Sequence, residues 1–334
     1  MSPLPRTRLI SKYAVEATHV GSPYSHAVMF HHFHDSKHPA GQGSLSADQF
    51  RLMLDWISER YCILSADEYI YRLHKHSLQQ TDTCLTFDDG LLCQAEVAVP
   101  ILRENNIQAF FFIYSAPFVA KTPDNESLVE IYRYFRTTMF ATVDDFYQEF
   151  MSLARDFFES LYTVAEKEYS PQKFLPEFPF YTDNDKWFRY LRDQALRKER
   201  YDLVMSFLMK EKNFDSQLAL TKLWMSNSHL VALRDEGHVV GLHSFSHPTM
   251  LHEMSARGQE YEYKSNMVHL REILGDDPIS MSHPCGRYND DTLRILSKLG
   301  IKIGFLSNTG VVRVKSNLEV PRRDHTIVWA AMQE

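Results

Sequence analysis

The sequence lacks the features that mark several classes of protein. Its four cysteines show neither C-x-x-C spacing nor a disulfide-rich pattern, so nothing in them demands an oxidising compartment. Residues 1–15 include basic residues but no apolar stretch, and we expect no signal peptide. The longest apolar run, residues 109–120, is too short to cross a bilayer and is predicted to be a buried strand. We therefore expect a cytoplasmic protein with no transmembrane segment.

Positive charge is also scarce. The chain has 36 Lys and Arg against 43 Asp and Glu, which gives a formal net charge of -7. A general nucleic-acid binder needs a basic face, so the net charge argues against this class. The 44% hydrophobic and 24% charged residues are typical of a soluble globular protein. A length of 334 residues allows one large domain or two smaller ones.

Strands and helices are predicted to alternate in two separate parts of the chain. One strand runs into Asp88, and others are predicted at residues 26–33, 108–113, 239–242, 279–282, 301–306 and 318–320. Ser46 and Gln49 form a capping-box pattern for a helix ending near residue 61. Further helices are predicted at residues 66–74, 93–105, 227–236, 256–274 and 289–300. This alternation is typical of a parallel α/β sheet or barrel.

Residues 119–222 show only helical spacing and many aromatic residues. Thr142 and Asp145 form a second capping-box pattern. Six apolar residues then follow at steps of three and four, on one face of a predicted helix: Phe146, Phe150, Leu153, Phe157, Leu161 and Val164. We expect this stripe to form a helical core. A segment inserted between two strands is also where substrate-shaping structure tends to lie.

The segment Thr86–Gly90 places two adjacent carboxylates at the carboxyl end of a predicted strand. Chemistry in α/β folds is found at this edge of the sheet. One carboxylate could bind a metal while the other stays free as a base. An Asp-Asp-Gly sequence is equally typical of a simple turn.

Two further segments follow later strands. His243 and His247 are four residues apart and can face one metal if the chain turns helically between them. The zincin motif has the same spacing but needs Glu at the position of Ser244, so a zincin is disfavoured. Residues 284–286 (Pro-Cys-Gly) could simply reverse the chain. They could also present backbone N–H groups to an oxyanion.

Together these segments resemble the polysaccharide deacetylase family, also called carbohydrate esterase family 4 or the NodB-homology domain. Thr86–Gly90 matches the first family motif, and Gly237–His247 matches the second with its usual lead-in. The agreement in order and strand context extends over roughly residues 25–118 and 223–325. The resemblance implies an α/β fold, a distorted (β/α)7-type barrel. In this chain residues 1–118 and 223–334 would form the barrel, and 119–222 a large helical insertion.

The resemblance also implies a site. One divalent metal would be held by Asp89, His243 and His247, and Asp88 would be the general base. Zinc is the simplest metal, with cobalt, nickel, manganese and iron as alternatives. The backbone N–H of Cys285 would stabilise the oxyanion. We expect four residues to contact substrate: His32, Pro284, Gly286 and Tyr288.

Three departures from the family pattern matter. One is the long helical insertion, which most members lack; relatives encoded with surface-glycan biosynthesis genes carry such insertions, and this chain is most similar to them. The third motif usually begins with an Arg that orients the base and has an aromatic residue before the Gly, but Ser282 and Cys285 stand there. Arg322 or Arg323 could replace the missing Arg, although a solvated basic pair is an equally good interpretation.

The late Leu-x-His motif that carries the catalytic acid is absent as well. Some relatives have a Tyr-His near the first strand, and Phe30-His31 is similar to that variant. We therefore take His31 as the candidate acid, with His32 and His325 as rivals.

The expected function is metal-dependent hydrolysis of an N-acyl sugar, acetyl or formyl, in surface-glycan biosynthesis. The alternatives are a non-catalytic carbohydrate-binding relative and an O-acyl esterase on the same metal site. If the insertion caps the site, the substrate is a nucleotide-linked, lipid-linked or chain-terminal sugar. Otherwise the insertion packs aside and mediates formation of a homodimer.

Overall fold

The computed structural model describes residues 26–119, 128–176, 178, 181–307 and 316–334. Residues 1–15, for which the sequence predicts no signal peptide, lie outside this range. The described chain divides into two compact units. One contains residues up to His38 together with Gly43–Lys121 and Trp224–Glu334, and the other contains Pro39–Gln42 and Thr122–Leu223.

The strands of the first unit are β1 (Ala27–Phe30), β2 (Cys62–Ile63), β3 (Asp82–Thr83), β4 (Leu85–Asp88), β5 (Phe110–Ile113), β6 (Val239–Leu242), β7 (Ser280–Ser282), β8 (Ile303–Phe305) and β9 (Arg322–Asp324). Seven of them form one parallel sheet in the order β8-β7-β6-β5-β4-β1-β9. The other two, β2 and β3, form a separate parallel pair.

Backbone hydrogen bonds nearly close this sheet into a barrel. Leu306 N donates to Val320 O, and Val320 N donates to Gly304 O, each over 2.8 Å. The chain just before β9 therefore pairs with β8, at the other edge of the sheet. The prediction of a distorted (β/α)7 barrel is confirmed.

Helices flank the strands. In the first unit, the helices that precede the insertion are α1 (Ala47–Ser58), α2 (Ala66–His74), α3 (Val99–Glu104) and α4 (Ala116–Val119), and a π-helical turn (Gln94–Ala98) leads directly into α3. The helices that follow the insertion are α11 (Asn227–Asp235), α12 (Ala256–Leu274), α13 (Asp290–Lys298) and α14 (His325–Met332). Short 3₁₀ turns lie at Leu251–Glu253 and Pro284–Gly286. The capping box of Ser46 and Gln49 is present as predicted.

Aromatic residues fill both sides of the sheet, because successive strand residues point to opposite faces. Phe110 and Phe112 of β5 pack with Phe305 in one cluster. On the other face, Phe87 stacks on Phe111 with ring centroids 4.7 Å apart. These rings pack around the strands whose ends carry the polar residues.

The second unit is a helical bundle with its own core. Its helices are α5 (Leu128–Met139), α6 (Val143–Phe157), α7 (Glu159–Glu168), α8 (Asp183–Tyr190), a π-helical turn (Leu191–Leu196), α9 (Arg197–Glu211) and α10 (Ser216–Leu223). The predicted capping box at Thr142 is present, and Phe146 and Phe150 are fully buried in the core.

The predicted stripe on a single helix face is wrong beyond Leu153. The helix breaks at Phe158, whose backbone (φ -138°, ψ 46°) lies outside the helical region. Phe157, the last residue before the break, is exposed. The break changes the phase of the following helix, so that Val164 is exposed while Tyr162 is buried.

The strand predicted at residues 318–320 is also corrected. Only Val320 makes a bridge there, and the strand proper begins after Pro321, at Arg322. Proline has no N–H to donate to a ladder, which explains why the strand starts beyond it. The sequence Arg-Arg-Asp gave no apolar signal for β9.

Candidate metal and catalytic site

The chain changes direction within the Asp pair. Asp88 is the last residue of β4, whereas Asp89 (φ 79°) and Gly90 (φ 64°) adopt the left-handed conformation. Asp tolerates this region better than most residues, although at a cost in backbone strain. Both side chains are buried. The turn directs the two carboxylates toward different partners.

Asp88 is bound by a buried arginine. Arg322 Nη1 donates to Asp88 Oδ1 and Arg322 Nη2 donates to Oδ2, each over 2.7 Å. The same guanidinium donates to Thr86 Oγ1 (3.1 Å), and its Nε donates to Leu306 O (2.6 Å). Ser282 Oγ donates to Asp88 Oδ2 over 3.1 Å. A bidentate pair of this kind is geometrically specific and strong.

The charge of Asp88 is fixed by these neighbours. Burial raises the pKa of the Asp88 carboxyl, but Arg322 and His243 lower it by more, so the pKa lies below its ordinary value. Arg323, the other candidate from the sequence, instead donates to Tyr61 Oη over 3.1 Å. Adjacent residues of β9 point to opposite sides of the strand, so only one arginine can reach the carboxylate.

Asp89 and the two histidines form a compact group of metal-ligand type. Asp89 Oδ1 lies 3.5 Å from His243 Nε2 and 3.5 Å from His247 Nε2. One ligand atom from each of the three residues lies within 4.8 Å of the others, and all three residues are buried. The structure thus brings together the three residues that the sequence predicted as metal ligands.

The hydrogen bonding of this group fits a bound cation. His243 Nδ1 donates to Ser282 O over 2.8 Å, so in the neutral ring the lone pair is on Nε2 and faces Asp89. Among the described residues Asp89 Oδ1 has no hydrogen-bond partner, although it is buried. Two buried acceptors 3.5 Å apart need a cation between them, either a proton or a metal ion. One carboxylate and two imidazoles suit a divalent metal and leave coordination positions open.

The pKa shifts of Asp89 and His243 show how these side chains interact when a proton, rather than a metal ion, lies between them. Burial raises the pKa of Asp89, but His243 and His247 lower it strongly. Burial lowers the pKa of His243, while Asp88 and Asp89 raise it by more. The site therefore favours a positive charge between these side chains.

The loop between the two histidines is not the helical turn considered in the sequence analysis. Ser244 (φ 66°) and His247 (φ 55°) are both left-handed, and His247 N donates to Ser244 Oγ over 3.0 Å. Glu262 of α12 accepts from Phe245 N (2.9 Å) and Ser246 N (2.8 Å). These bonds hold an otherwise strained loop.

A second residue of α12 supports the first histidine. Asn266 Oδ1 accepts from His243 N, and Asn266 Nδ2 donates to Ile113 O, each over 2.9 Å. Sequence reasoning missed both Glu262 and Asn266. The available signal was a series of polar residues on the buried face of α12: Gln259, Glu262, Asn266 and His269.

Of the three candidate acids, His31 lies beside the base. His31 Nε2 is 3.8 Å from Asp88 Oδ2, and 27% of the side chain is exposed. His32 stacks on His31 with ring centroids 6.4 Å apart. His325 Nε2 donates to Gly43 O over 2.7 Å, and burial lowers the pKa of His325.

Gln94 is a further residue that the sequence did not reveal. It is fully buried at the start of the π-helical turn. Its side-chain amide donates to His31 O (2.8 Å) and to Asp88 O (2.6 Å). One amide therefore ties the end of β1 to the end of β4.

The segment after β7 makes a tight turn, as the sequence allowed. Cys285 (φ 52°) and Gly286 (φ 64°) are left-handed, and Cys285 is exposed. A Cβ on Gly286 would lie 2.3 Å from Ser307 Oγ, so any other residue there would have to displace that hydroxyl and adopt a strained left-handed backbone. Pro284 is buried, and Tyr288 Oη donates to Glu319 over 2.8 Å. The oxyanion and substrate-contact roles of this segment stay predictions.

Comparisons with known proteins agree with this description. The sequence model of the family described as polysaccharide deacetylase matches residues 196–304. No curated protein sequence matches the chain. The resemblance to the polysaccharide deacetylase family is thereby confirmed for the part of the chain that holds the two histidines.

Several solved structures have a similar fold. The Streptococcus pyogenes deacetylase PplD in complex with acetate has a TM-score of 0.52 and 17% identity, over 90% of this chain and 92% of that chain. IcaB from Ammonifex degensii has a TM-score of 0.52 and 15% identity, over 91% and 93%. The Bacillus cereus polysaccharide deacetylase BC0361 has a TM-score of 0.50 and 13% identity, over 93% and 69%. At these identities the likeness establishes the fold.

In the described part of the chain, none of the helices combines the length and the apolar character that crossing a bilayer requires.

Proposed function

We propose, from the premise that the chain carries a polysaccharide deacetylase domain, that it is a metal-dependent carbohydrate N-deacylase. The observation that carries this proposal is that a group of metal-ligand type and an ionised carboxylate lie side by side at the end of β4. Asp89, His243 and His247 converge with ligand atoms within 4.8 Å of one another. Asp88, held ionised by Arg322, lies directly beside them. Hydrolysis of an amide needs both an electrophilic centre and a base.

A divalent metal at Asp89, His243 and His247 would supply Lewis-acid polarisation of the acyl carbonyl and a more acidic water. Asp88 would take the proton of that water. Its bidentate contact with Arg322 fixes the carboxylate plane and keeps the anionic form. Oδ2 of Asp88 accepts from both Arg322 and Ser282, whereas among the described residues Oδ1 accepts only from Arg322, so a water can still donate to Oδ1.

His31 would complete proton transfer. Expulsion of an amine requires a proton on the leaving nitrogen, and His31 is a partly exposed imidazole 3.8 Å from Asp88. Gln94 holds the backbone of both residues and so would fix their separation. The backbone N–H of Cys285, in its left-handed turn, remains our candidate oxyanion donor.

The proposed substrate is an N-acetyl or N-formyl sugar in surface-glycan biosynthesis, and zinc is the proposed metal. The aromatic-rich insertion favours a nucleotide-linked, lipid-linked or chain-terminal sugar over internal units of a polymer. That expectation, like the homodimer and the cytoplasmic location, comes from the sequence and stays a prediction.

The test is release of acyl groups from a panel of N-acetyl and N-formyl nucleotide sugars and chitin oligomers. Protein stripped of metal and then reloaded with zinc should regain turnover. Asp88→Asn is the matched inactive variant, because it removes a charge without changing the side-chain shape. Equal turnover by stripped protein, reloaded protein and Asp88→Asn would refute the proposal.

A further inference from the structure

Trp224 is a buried residue beside the candidate metal site that the proposed reaction does not use. The chain returns to the first unit at this residue, of which only 7% is exposed. Its backbone forms an antiparallel bridge with Leu91, and the N–H of the next residue, Met225, donates to Gly90 O over 2.9 Å. Gly90 directly follows Asp89 in the chain. Trp224 is therefore fixed to the segment that carries this candidate ligand.

The indole ring of Trp224 is also linked to the histidine side of the site. Its centroid lies 6.1 Å from that of the Tyr114 ring, and the two rings are nearly perpendicular, at 87°. The Tyr114 ring in turn lies 5.4 Å from the ring of His247. Tyr114 is buried as well. These two residues, called the aromatic pair below, thus lie on the side of the site that holds Asp89 and His247.

The indole N–H of Trp224 has no acceptor. Its Nε1 atom is buried and lacks a hydrogen-bond partner among the described residues. A buried indole N–H usually finds a partner, because a donor taken out of water and left unpaired costs free energy. Trp187 follows this rule, since its Nε1 donates to Tyr162 Oη over 3.2 Å. The unpaired N–H of Trp224 is thus a buried donor next to a candidate catalytic centre, where a ligand oxygen can satisfy it.

We infer that Trp224 is a substrate-binding residue whose indole N–H donates to a hydroxyl oxygen of the sugar. The inference rests on the proposed N-deacylase function. In that reaction the acyl oxygen carries the oxyanion and the amide nitrogen receives a proton, so both are already engaged. The hydroxyls of the sugar are the acceptors that remain. An aromatic surface with one placed polar group is also the usual construction of a small-molecule pocket, in which the polar group fixes the orientation of the ligand.

This contact would make Trp224 a determinant of specificity. A site with a buried donor rejects a ligand that lacks the matching acceptor, because the donor then stays unpaired. Trp224→Phe keeps an aromatic ring but removes the N–H. The variant should therefore bind the sugar about fivefold more weakly, which corresponds to one ordinary hydrogen bond.

The test is proton–nitrogen correlation NMR of the indole groups in the full-length, zinc-loaded protein. The probes are N-acetylglucosamine, N-acetylgalactosamine and acetate, each titrated separately. The chain has four tryptophans, and the signal that disappears in Trp224→Phe belongs to Trp224. We expect either sugar to move this signal downfield as the hydrogen bond forms, and acetate to leave it in place. Trp187 is the internal control, because its N–H is already bonded to Tyr162.

If Trp224→Phe does not fold, replacing the other three tryptophans one at a time identifies the Trp224 signal by elimination. Four results would overturn the inference: no movement with either sugar, movement with acetate alone, equal movement of the Trp187 signal, or equal sugar affinity in Trp224→Phe. A Trp224 signal that lies upfield and never moves would instead assign the N–H to the face of the Tyr114 ring.

Acetyl release measured on the same samples separates this inference from the proposed function. Movement of the Trp224 signal without turnover would refute the proposed function and leave the sugar contact standing. Turnover without movement of the signal would refute the sugar contact alone.

Discussion

Asp88 and Asp89 are adjacent in the chain and both buried, yet they have different neighbours. Around Asp88 the protein supplies a hydrogen-bond donor to each carboxylate oxygen, from Arg322 and Ser282. Around Asp89 it supplies two histidines at 3.5 Å and leaves Oδ1 without a hydrogen bond among the described residues.

The difference teaches how one strand end can serve two purposes. Asp88 is held ionised and oriented by protein groups alone, so its charge and orientation are properties of the fold. The buried Asp89 Oδ1 has no hydrogen-bond partner among the described residues and needs a cation beside it, as expected of a ligand in a binding site. The left-handed backbone at Asp89 (φ 79°) separates the two, because an extended backbone would continue the alternation of β4.

The largest expected effect comes from removing a ligand on the Asp89 side. His247→Ala should reduce bound divalent metal from about one ion per chain to background, and turnover should be lost with it. Metal content by mass spectrometry checks this. His74→Ala, an exposed histidine at the end of α2, is the control. Full metal occupancy in His247→Ala would contradict the assignment.

The next effect tests the Asp88 side. Asp88→Asn should retain the metal but lower turnover by ~10²–10⁴-fold, the usual contribution of a general base. His31→Ala should keep its metal and lose turnover to a similar degree, whereas His325→Ala should be milder. Steady-state rates and metal content, measured on the same samples, separate chemistry from binding. A larger loss in His325→Ala would show that the acid is misassigned.

Arg322→Met should weaken the fold itself. An unpaired buried carboxylate costs about 3–5 kcal/mol. In the wild type Arg322 lowers the pKa of Asp88, so this pair stabilises the fold above the unfolded-state pKa and less as the pH falls. Arg322→Met removes the largest influence that lowers the pKa of Asp88, while burial still raises that pKa. We therefore expect a higher pKa in the variant and a stability that falls as the pH rises. The difference between the two proteins should therefore be larger at pH 7 than at pH 4.

Urea unfolding of metal-free protein at the two pH values measures this difference. Arg323→Met is the matched control, since Arg323 makes one hydrogen bond to Tyr61 and should cost only about 1 kcal/mol. An equal loss in the two variants, or no dependence on pH, would mean that the buried pair does not set the charge of Asp88.

The smallest effect concerns the support of the metal loop. Glu262→Gln should weaken metal affinity by about 10–100-fold, as loss of an outer support usually does. Turnover at saturating metal should change little, because the ligands themselves remain. Competition with a coloured chelator measures the affinity, and Glu260→Gln on the exposed side of α12 is the control. An unchanged metal affinity in Glu262→Gln would show that Glu262 supports the fold of the loop but not the binding of metal.

The sequence was informative where the signal is local. The bounds of α2 (Ala66–His74), β6 (Val239–Leu242) and α12 (Ala256–Leu274) were predicted to the residue, because caps and apolar periodicity mark them. The resemblance named the three ligand residues that the structure groups together.

The rest depends on contacts that no local pattern records. Arg322 and Arg323 could not be separated from the sequence, since the choice rests on which side of β9 each faces. Gln94 and Glu262 are ordinary helix residues until the fold brings them to distant backbone groups. The break at Phe158 was missed because the apolar spacing continues through it.

The closure of the barrel by its last strand has a consequence for the order of synthesis. Arg322 follows Asp88 by 234 residues, which at ~5–20 residues per second amounts to roughly 10–50 s on the ribosome. Until then the end of β4 must stay hydrated, because a lone buried carboxylate is too costly. The same late segment supplies Val320, which bonds to β8. A nascent chain therefore closes its barrel and pairs its buried carboxylate in the same step, once residues 320–322 are available. Chains stalled before residue 322 should keep an open barrel with exposed apolar surface, and chaperones should bind them.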